Sequence, residues 1–274
     1  MDPILKWAGG KRKLIPSISK HLNIEELEGH TLYEPFIGGG ALSFNLLYNR
    51  VVINDLNDEL INVYIQIKNN PVELVKFLKQ HKKNNSKEYY YFIRNLDRTP
   101  EFLTMSDVQK AARTIYLNRV CYNGLYRVNS KGQFNVPYGR YVHPEIVFED
   151  KIYELNGYLN NNEVNIMHGD FEIAVQSAQK GDVIYFDPPY DYENDGFTSY
   201  TKNGFSREDL KRLKLICDDL IKRGCKVIIS NNDTTFVNDL FSDIHYTIEH
   251  IYASRMINCN GKKRKAAKEV IIYG

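Results

Sequence analysis

The chain has 274 residues, 43% of them hydrophobic and 26% charged, with a formal net charge of +2. That balance argues against a disordered chain and predicts one large folded domain or two modest ones. No apolar run reaches the roughly 20 residues of a membrane-crossing helix, and Met1-Asp2-Pro3-Ile4-Leu5-Lys6 lacks a signal-peptide layout, so a cytoplasmic protein is expected.

Thr31 to Ile37 predicts a strand, Gly38-Gly39-Gly40 a turn and Ala41 to Tyr48 a helix. Val51-Val52-Ile53-Asn54 predicts a second strand ending at Asp55. This is the opening of a Rossmann-like α/β sheet. Residues 57–120 read as mostly helical, with amphipathic runs at Val72 to Leu78 and Val108 to Leu117. From Val120 to Tyr141 aromatics, glycine and asparagine take over. Asn129-Ser130-Lys131-Gly132 lies between two short extended runs and reads as a hairpin loop. Strand–helix alternation then resumes. Asn165-Ile166-Met167 leads to His168-Gly169-Asp170, and Val183 to Phe186 leads to Asp187-Pro188-Pro189-Tyr190. Ser206 to Arg223 predicts a helix with a capping box from Ser206 and Asp209, an apolar face of Leu213, Ile216 and Leu220, and Gly224 at its end. Lys226 to Ile229 and Glu269 to Tyr273 complete the strands. The expected organisation is one α/β domain, residues 1–56 and 145–274, interrupted by a mainly helical insertion at 57–144 that carries a β-hairpin.

The charge is unevenly spread. Residues 57–144 hold 14 Lys+Arg against 7 Asp+Glu, while the remainder holds 22 against 27. A basic insertion beside an acidic remainder points to a polyanion partner, although a lysine-rich solvated helix surface gives the same count. The cysteines Cys121, Cys217, Cys225 and Cys259 form no C-x-x-C pair and none follows a proline. Neither a metal site nor a disulfide framework is expected.

Asp187-Pro188-Pro189-Tyr190 brings a carboxylate, imide carbonyls and an aromatic ring to the end of a buried strand. That set suits a planar ring bearing an amine. A strand stop with a capping aspartate fits the same four residues. Phe36-Ile37-Gly38-Gly39-Gly40 opens a helix after a strand and allows a ligand close to the backbone. The third glycine of a dinucleotide fingerprint is replaced by Ser43, and Asp55 is placed to meet ribose hydroxyls. An adenosine ligand without phosphates fits this pattern. Lys6-Trp7-Ala8-Gly9-Gly10-Lys11 is no phosphate loop, since Arg12 stands where a magnesium-binding hydroxyl belongs.

Together these motifs resemble the Dam family of DNA adenine N6-methyltransferases. The resemblance covers nearly the whole chain: Leu5 to Lys11, Tyr33 to Gly40, Asn54-Asp55, Gly169-Asp170-Phe171 and Asp187 to Tyr190. Its longest stretch runs from Asn118 to Arg127 and on through Phe134 to Tyr141. The resemblance implies a Rossmann-like methyltransferase domain around a target-recognition insertion, S-adenosylmethionine as methyl donor, and adenine in duplex GATC as target. It places the donor near Trp7, Lys11, Glu34, Phe36, Gly38, Gly40, Asp55, Asp170 and Phe171, although Glu34 and Asp170 also fit as turn or cap residues. Asp187, Pro188, Pro189 and Tyr190 would form the catalytic set, Asp187 and the Pro188 carbonyl holding the amine hydrogens and Tyr190 stacking on the base. For the DNA it implies that Arg127 reads a guanine, Leu125 and Pro137 meet a thymine methyl, Tyr122 fills the space left by a flipped base, and Lys6 addresses the first G·C pair. Asn123 and Asn135 would hold the hairpin. In a hairpin such residues also serve as packing or phosphate contacts. Where the family carries Arg-Ser-Ile-Ser-Cys-Asn-Gly, this chain has Arg255-Met256-Ile257-Asn258-Cys259-Asn260-Gly261, which puts backbone contacts in doubt. Arg255 and Lys262 to Lys265 form a late basic cluster suited to phosphate or to solvent. A cytosine-N4 or RNA methyltransferase and a silent DNA-binding module are the alternatives. A monomer is expected.

Overall fold

A computed structural model of the chain describes residues 1, 3–7, 14–22, 28–193, 205–253 and 267–274. In chain order the elements are α1 (Ile15–Lys20), β1 (Leu32–Glu34), α2 (Ser43–Leu46), β2 (Arg50–Asp55), α3 (Asp58–Asn69), α4 (Pro71–Asn84) and α5 (Lys87–Asn95). There follow α6 (Glu101–Thr104), α7 (Asp107–Val120), α8 (Glu149–Asn161), β3 (Glu163–His168), α9 (Phe171–Ala174) and β4 (Val183–Phe186). The chain closes with α10 (Arg207–Lys222), β5 (Lys226–Asn232), α11 (Thr235–Leu240), β6 (Thr247–Ala253) and β7 (Ala267–Tyr273).

Among the described residues seven strands form one sheet in the order β3-β2-β1-β4-β5-β7-β6. The first five strands in chain order run parallel, and β7 pairs antiparallel with both β5 and β6. This is the Rossmann-like α/β sheet expected from the sequence. Its central strands are apolar on both faces, as a sheet covered by helices on both sides requires. Alternate side chains enter two cores. Leu32, Ile53, Val183, Tyr185, Ile228 and Ile271 face one, with α1, α3 and α8. Tyr33, Val52, Ile184, Phe186, Ile229 and Ile272 face the other, with α10 and α11. No helix among the described residues is long and apolar enough to cross a membrane.

Two elements are shorter than expected. β1 stops at Glu34 because Pro35 has no N–H to continue the ladder. α2 stops at Leu46 because Leu47 turns left-handed at φ 56°. The helix over Arg207–Lys222 carries both halves of the expected Ser206–Asp209 capping box. Its buried face is Leu210, Leu213, Cys217 and Leu220, with Ile216 at the edge.

A third core unites Tyr90, Ile93, Tyr116, Leu117, Val120, Tyr126, Phe134 and Val136. Helix α7 is the wall between this core and the sheet. Ala111, Ala112 and Ile115 pack toward the sheet, while Tyr116, Leu117 and Val120 pack toward the 120–138 segment. Arg113, fully buried on α7, pairs with Asp97 at 2.8 Å and Glu59 at 3.5 Å. Asp97 in turn accepts the Phe134 N–H at 2.8 Å. A buried charge is stable only when paired in this way. The network also ties the hairpin backbone to the helices.

Candidate active site

β1 and β4 are neighbours, but β1 leads on to β2 on one side and β4 to β5 on the other. Their carboxyl ends therefore flank the topological switch point, where open α/β sheets hold ligands. Both sequence motifs lie there: the glycine turn follows β1 and Asp187-Pro188-Pro189-Tyr190 follows β4. Pro188 is buried, and Asp187, Pro189 and Tyr190 are half-buried. Burial, followed by the nearby Asp187 charge, pushes the Tyr190 phenol far above its ordinary value. Tyr190 is thus a neutral ring at any working pH. Beneath it Tyr185 and Ser230 share a 2.6 Å hydrogen bond between their hydroxyls.

The turn after β4 is held by a network that sequence reading missed. Asp191 is buried and accepts Arg207 Nε at 2.9 Å and the Thr234 hydroxyl at 2.7 Å. Its N–H donates to Asn231 Oδ1 at 2.9 Å, and its carbonyl accepts Asn232 Nδ2 at 2.6 Å. Every polar group of Asp191 is thereby fixed to α10, to the end of β5 or to the N-cap of α11. A buried side chain satisfied this fully gives the motif before it a rigid base. The partners lie 16 to 43 residues away, so no local sequence signal marks them.

Glu34 ends β1 with its carboxyl fully buried. It accepts both the N–H of Ser43, at 3.1 Å, and the Ser43 hydroxyl. Desolvation outweighs those bonds, and the Asp187 charge adds to it, so the carboxyl is pushed up to about 8. In the turn itself Gly38 and Gly40 have φ of 49° and 69°. A Cβ on Gly38 would stand 2.9 Å from the Trp7 ring, and one on Gly40 would stand 2.0 Å from Phe44. Both glycines are thus demanded by the chain's own packing. Asp55 binds the turn directly, accepting the N–H of Gly38 at 3.0 Å and of Asn57 at 3.0 Å. Burial raises the Asp55 carboxyl despite these bonds.

Phe36 and Phe171 meet at 5.2 Å between ring centres, with Phe186 and Phe205 against them. Phe171 is buried, and the Arg212 guanidinium lies 4.4 Å over its ring. Asp170 caps α9 and forms a two-pronged pair with Arg212 at 2.8 and 3.0 Å. Partial desolvation opposes ionisation there, but the Arg212 hydrogen bonds win and hold Asp170 below the ordinary carboxylate value. Arg212 is a second residue that the sequence did not mark.

In the 120–138 segment, Tyr122, Asn123, Arg127 and Pro137 are exposed, and Leu125 is half-buried. They share one small unit. Tyr122 N–H donates to Pro137 O at 2.9 Å, Val128 bridges to Phe134, and Asn129 closes the loop on Gln133. Arg127 Nε donates to Asn135 Oδ1 at 2.7 Å. Lys6 reaches this unit from the amino-terminal side, with its ammonium 4.3 Å over the Tyr141 ring. Trp7 stacks on Tyr126 at 5.1 Å. Lys11 and the stretch from Arg255 to Lys265 lie outside the described residues. Among the described residues no group of three or more His, Cys, Asp and Glu is placed to hold a metal.

The arrangement combines a crevice lined by carboxyls with an exposed hairpin carrying an arginine and aromatic rings. Asp55 and Asp187 offer carboxyl oxygens to hydroxyls and positive charge, Glu34 offers a neutral carboxyl, and Asp170 is already paired with Arg212. That fits an adenosine carrying a cationic sulfonium better than a nucleotide phosphate.

The family model described as D12 class N6 adenine-specific DNA methyltransferase matches residues 7–257. The chain is 48% identical to the type II methyltransferase M1.LlaDCHI of Lactococcus lactis subsp. cremoris, over 100% of this chain and 96% of that protein. It is 40% identical to the type II methyltransferase M.MjaIII of Methanocaldococcus jannaschii, over 97% and 96% of the two chains. It is 34% identical to a DNA adenine methylase of Vibrio cholerae, over 97% and 94%.

Proposed function

The chain belongs to the D12 class N6 adenine-specific DNA methyltransferase family and is a DNA adenine methyltransferase, and from that premise we propose that it methylates the N6 amine of adenine within duplex GATC, using S-adenosylmethionine. The observation that carries this reading is the switch-point crevice, which joins the glycine turn after β1 to Asp187-Pro188-Pro189-Tyr190 after β4.

When bound, the donor supplies a methyl group on a positively charged sulfur. The residues proposed to hold it are Trp7, Lys11, Glu34, Phe36, Gly38, Gly40, Asp55, Asp170 and Phe171. The exocyclic amine of adenine is a poor nucleophile because its lone pair is delocalised into the ring. Asp187 and the Pro188 carbonyl accept its two hydrogens and favour a pyramidal nitrogen. A methyl taken from the sulfur would leave a neutral thioether and a positively charged amine, which the Asp187 carboxylate would stabilise until the nitrogen loses its proton to solvent. Tyr190 stacks on the adenine face. The base reaches this pocket only after leaving the helix, at a cost of roughly a few kcal/mol.

Residues 57–144 serve as the target-recognition part in this proposal, and residues 1–56 and 145–274 as the catalytic part. Arg127 addresses a guanine edge, a contact worth about 1–3 kcal/mol of discrimination when bidentate. Its Nε is already occupied by Asn135, which leaves the two terminal nitrogens to form the fork. Tyr122 fills the gap left by the flipped base, Leu125 and Pro137 meet a thymine methyl, Lys6 addresses the first G·C pair, and Asn123 shapes the turn. The enzyme acts as a cytoplasmic monomer on this proposal.

Plasmid incubated with the protein and S-adenosylmethionine should resist restriction enzymes that methylated GATC blocks. Complete cutting alongside methylated adenine elsewhere would refute GATC and leave the chemistry standing.

A further inference from the structure

The glycine turn and the exposed hairpin are joined by one short strap, Leu5-Lys6-Trp7. At one end the Trp7 indole fills the space beside Gly38 and stacks on Tyr126. At the other the Lys6 side chain occupies the place a Cβ on Gly124 would need, 2.4 Å away. Among the described residues one side chain bonds both backbone groups of the strap's middle residue. Asn118, 1% exposed on α7, accepts the Lys6 N–H at 2.8 Å and donates to the Lys6 carbonyl at 2.8 Å. The same Asn118 amide donates to the Gly124 carbonyl at 3.1 Å. Gly124 closes the 3₁₀ turn Tyr122–Gly124, in which Asn123 is left-handed at φ 55°. One buried amide therefore fixes three backbone groups: two on the strap and one on the turn that bears Tyr122.

Because the Asn118 side chain and its bond to Gly124 are buried, the turn cannot shift without stranding an amide hydrogen or a carbonyl. A movement of Gly124 therefore passes through Asn118 to Lys6, and with Lys6 to the indole against Gly38. We infer that Asn118 is a positioning residue that couples donor binding to duplex binding through the Lys6–Trp7 strap. The inference rests on the proposed assignment of the glycine turn to S-adenosylmethionine and of the hairpin to DNA. Whichever ligand binds first orders the strap for the second, so each raises the affinity of the other by the same factor.

Sinefungin, a donor analogue with no methyl to transfer, allows both affinities to be measured at equilibrium. Its Kd is determined with and without saturating GATC duplex. The wild type should bind it at least about fivefold tighter with duplex present, the lower end of ordinary coupling. Asn118→Ala should reduce that ratio to about one while leaving each separate affinity within about threefold. Tyr126→Leu removes the ring on which Trp7 stacks, outside the residues proposed to hold either ligand, and should lower the ratio too. A wild type that binds both ligands with no coupling would overturn the inference, as would full coupling in every folded variant. A wild type that binds neither ligand removes the underlying reading as well.

Discussion

Glu34 carries the clearest pH signature in the molecule. Its carboxyl titrates near 8 in the fold and near 4.5 when free. Between those values the folded protein keeps a proton that the unfolded chain has released. Stability should therefore fall as pH rises from about 4.5 to about 8, by up to about 1.4 kcal/mol per pH unit, and level off above. Glu34→Gln preserves the neutral form and should remove that decline. Urea unfolding of both proteins from pH 5 to 9 checks this, and parallel profiles would refute it. At Asp187 the expectation concerns turnover. Asp187→Ala should lose at least about a hundredfold in kcat, the scale of losing one electrostatic partner of the reacting group, with donor affinity kept within a few fold. Titration calorimetry beside a single-turnover assay separates the two, and unchanged turnover would remove Asp187 from the chemistry.

At the scale of elements, α7 and the hairpin carry the proposal for recognition. Arg113→Ala leaves Asp97 and Glu59 without their buried cation and should destabilise the protein by about 3–5 kcal/mol. A loss under about 1 kcal/mol in urea would show that the network contributes little. Arg127→Ala should relax preference at one base pair of the target. Equal weakening on every sequence, with a shallower salt dependence, would instead mark Arg127 as a phosphate contact. The elements that sequence made legible share a physical cause. Val183 to Phe186 is apolar on both faces, and Ser206 with Asp209 is a complete capping box, so both follow from local chemistry. α8 and β6 were not foreseen. The last turns of α8 read Leu155-Asn156-Gly157-Tyr158-Leu159-Asn160-Asn161, where three asparagines and a glycine lower the helix propensity, and tertiary packing of Ile152, Leu155 and Leu159 overrides them. The strand Thr247–Ala253 alternates too weakly to stand out and is fixed by pairing with β7.

For the whole molecule, the site's motifs were readable because each is contiguous in the chain. The parts that hold them were not. Asp191 with Arg207 and Thr234, Asp170 with Arg212, and Asn118 with Lys6 and Gly124 are meetings of distant residues that exist only once the sheet and α7 are in place. The sheet brings the glycine turn after β1 and Asp187-Pro188-Pro189-Tyr190 after β4 side by side. The third core, anchored on the other face of α7, presents the hairpin. The central claim is that this assembly delivers a methyl group to adenine N6 in DNA. Unmethylated duplex, incubated with the protein and S-adenosylmethionine and digested to nucleosides, tests it most directly by mass spectrometry. N6-methyl-2′-deoxyadenosine should accumulate with time and vanish with Asp187→Ala. Methyl found only on cytosine, or no methylated nucleoside at all from a folded, donor-bound protein, would contradict the account.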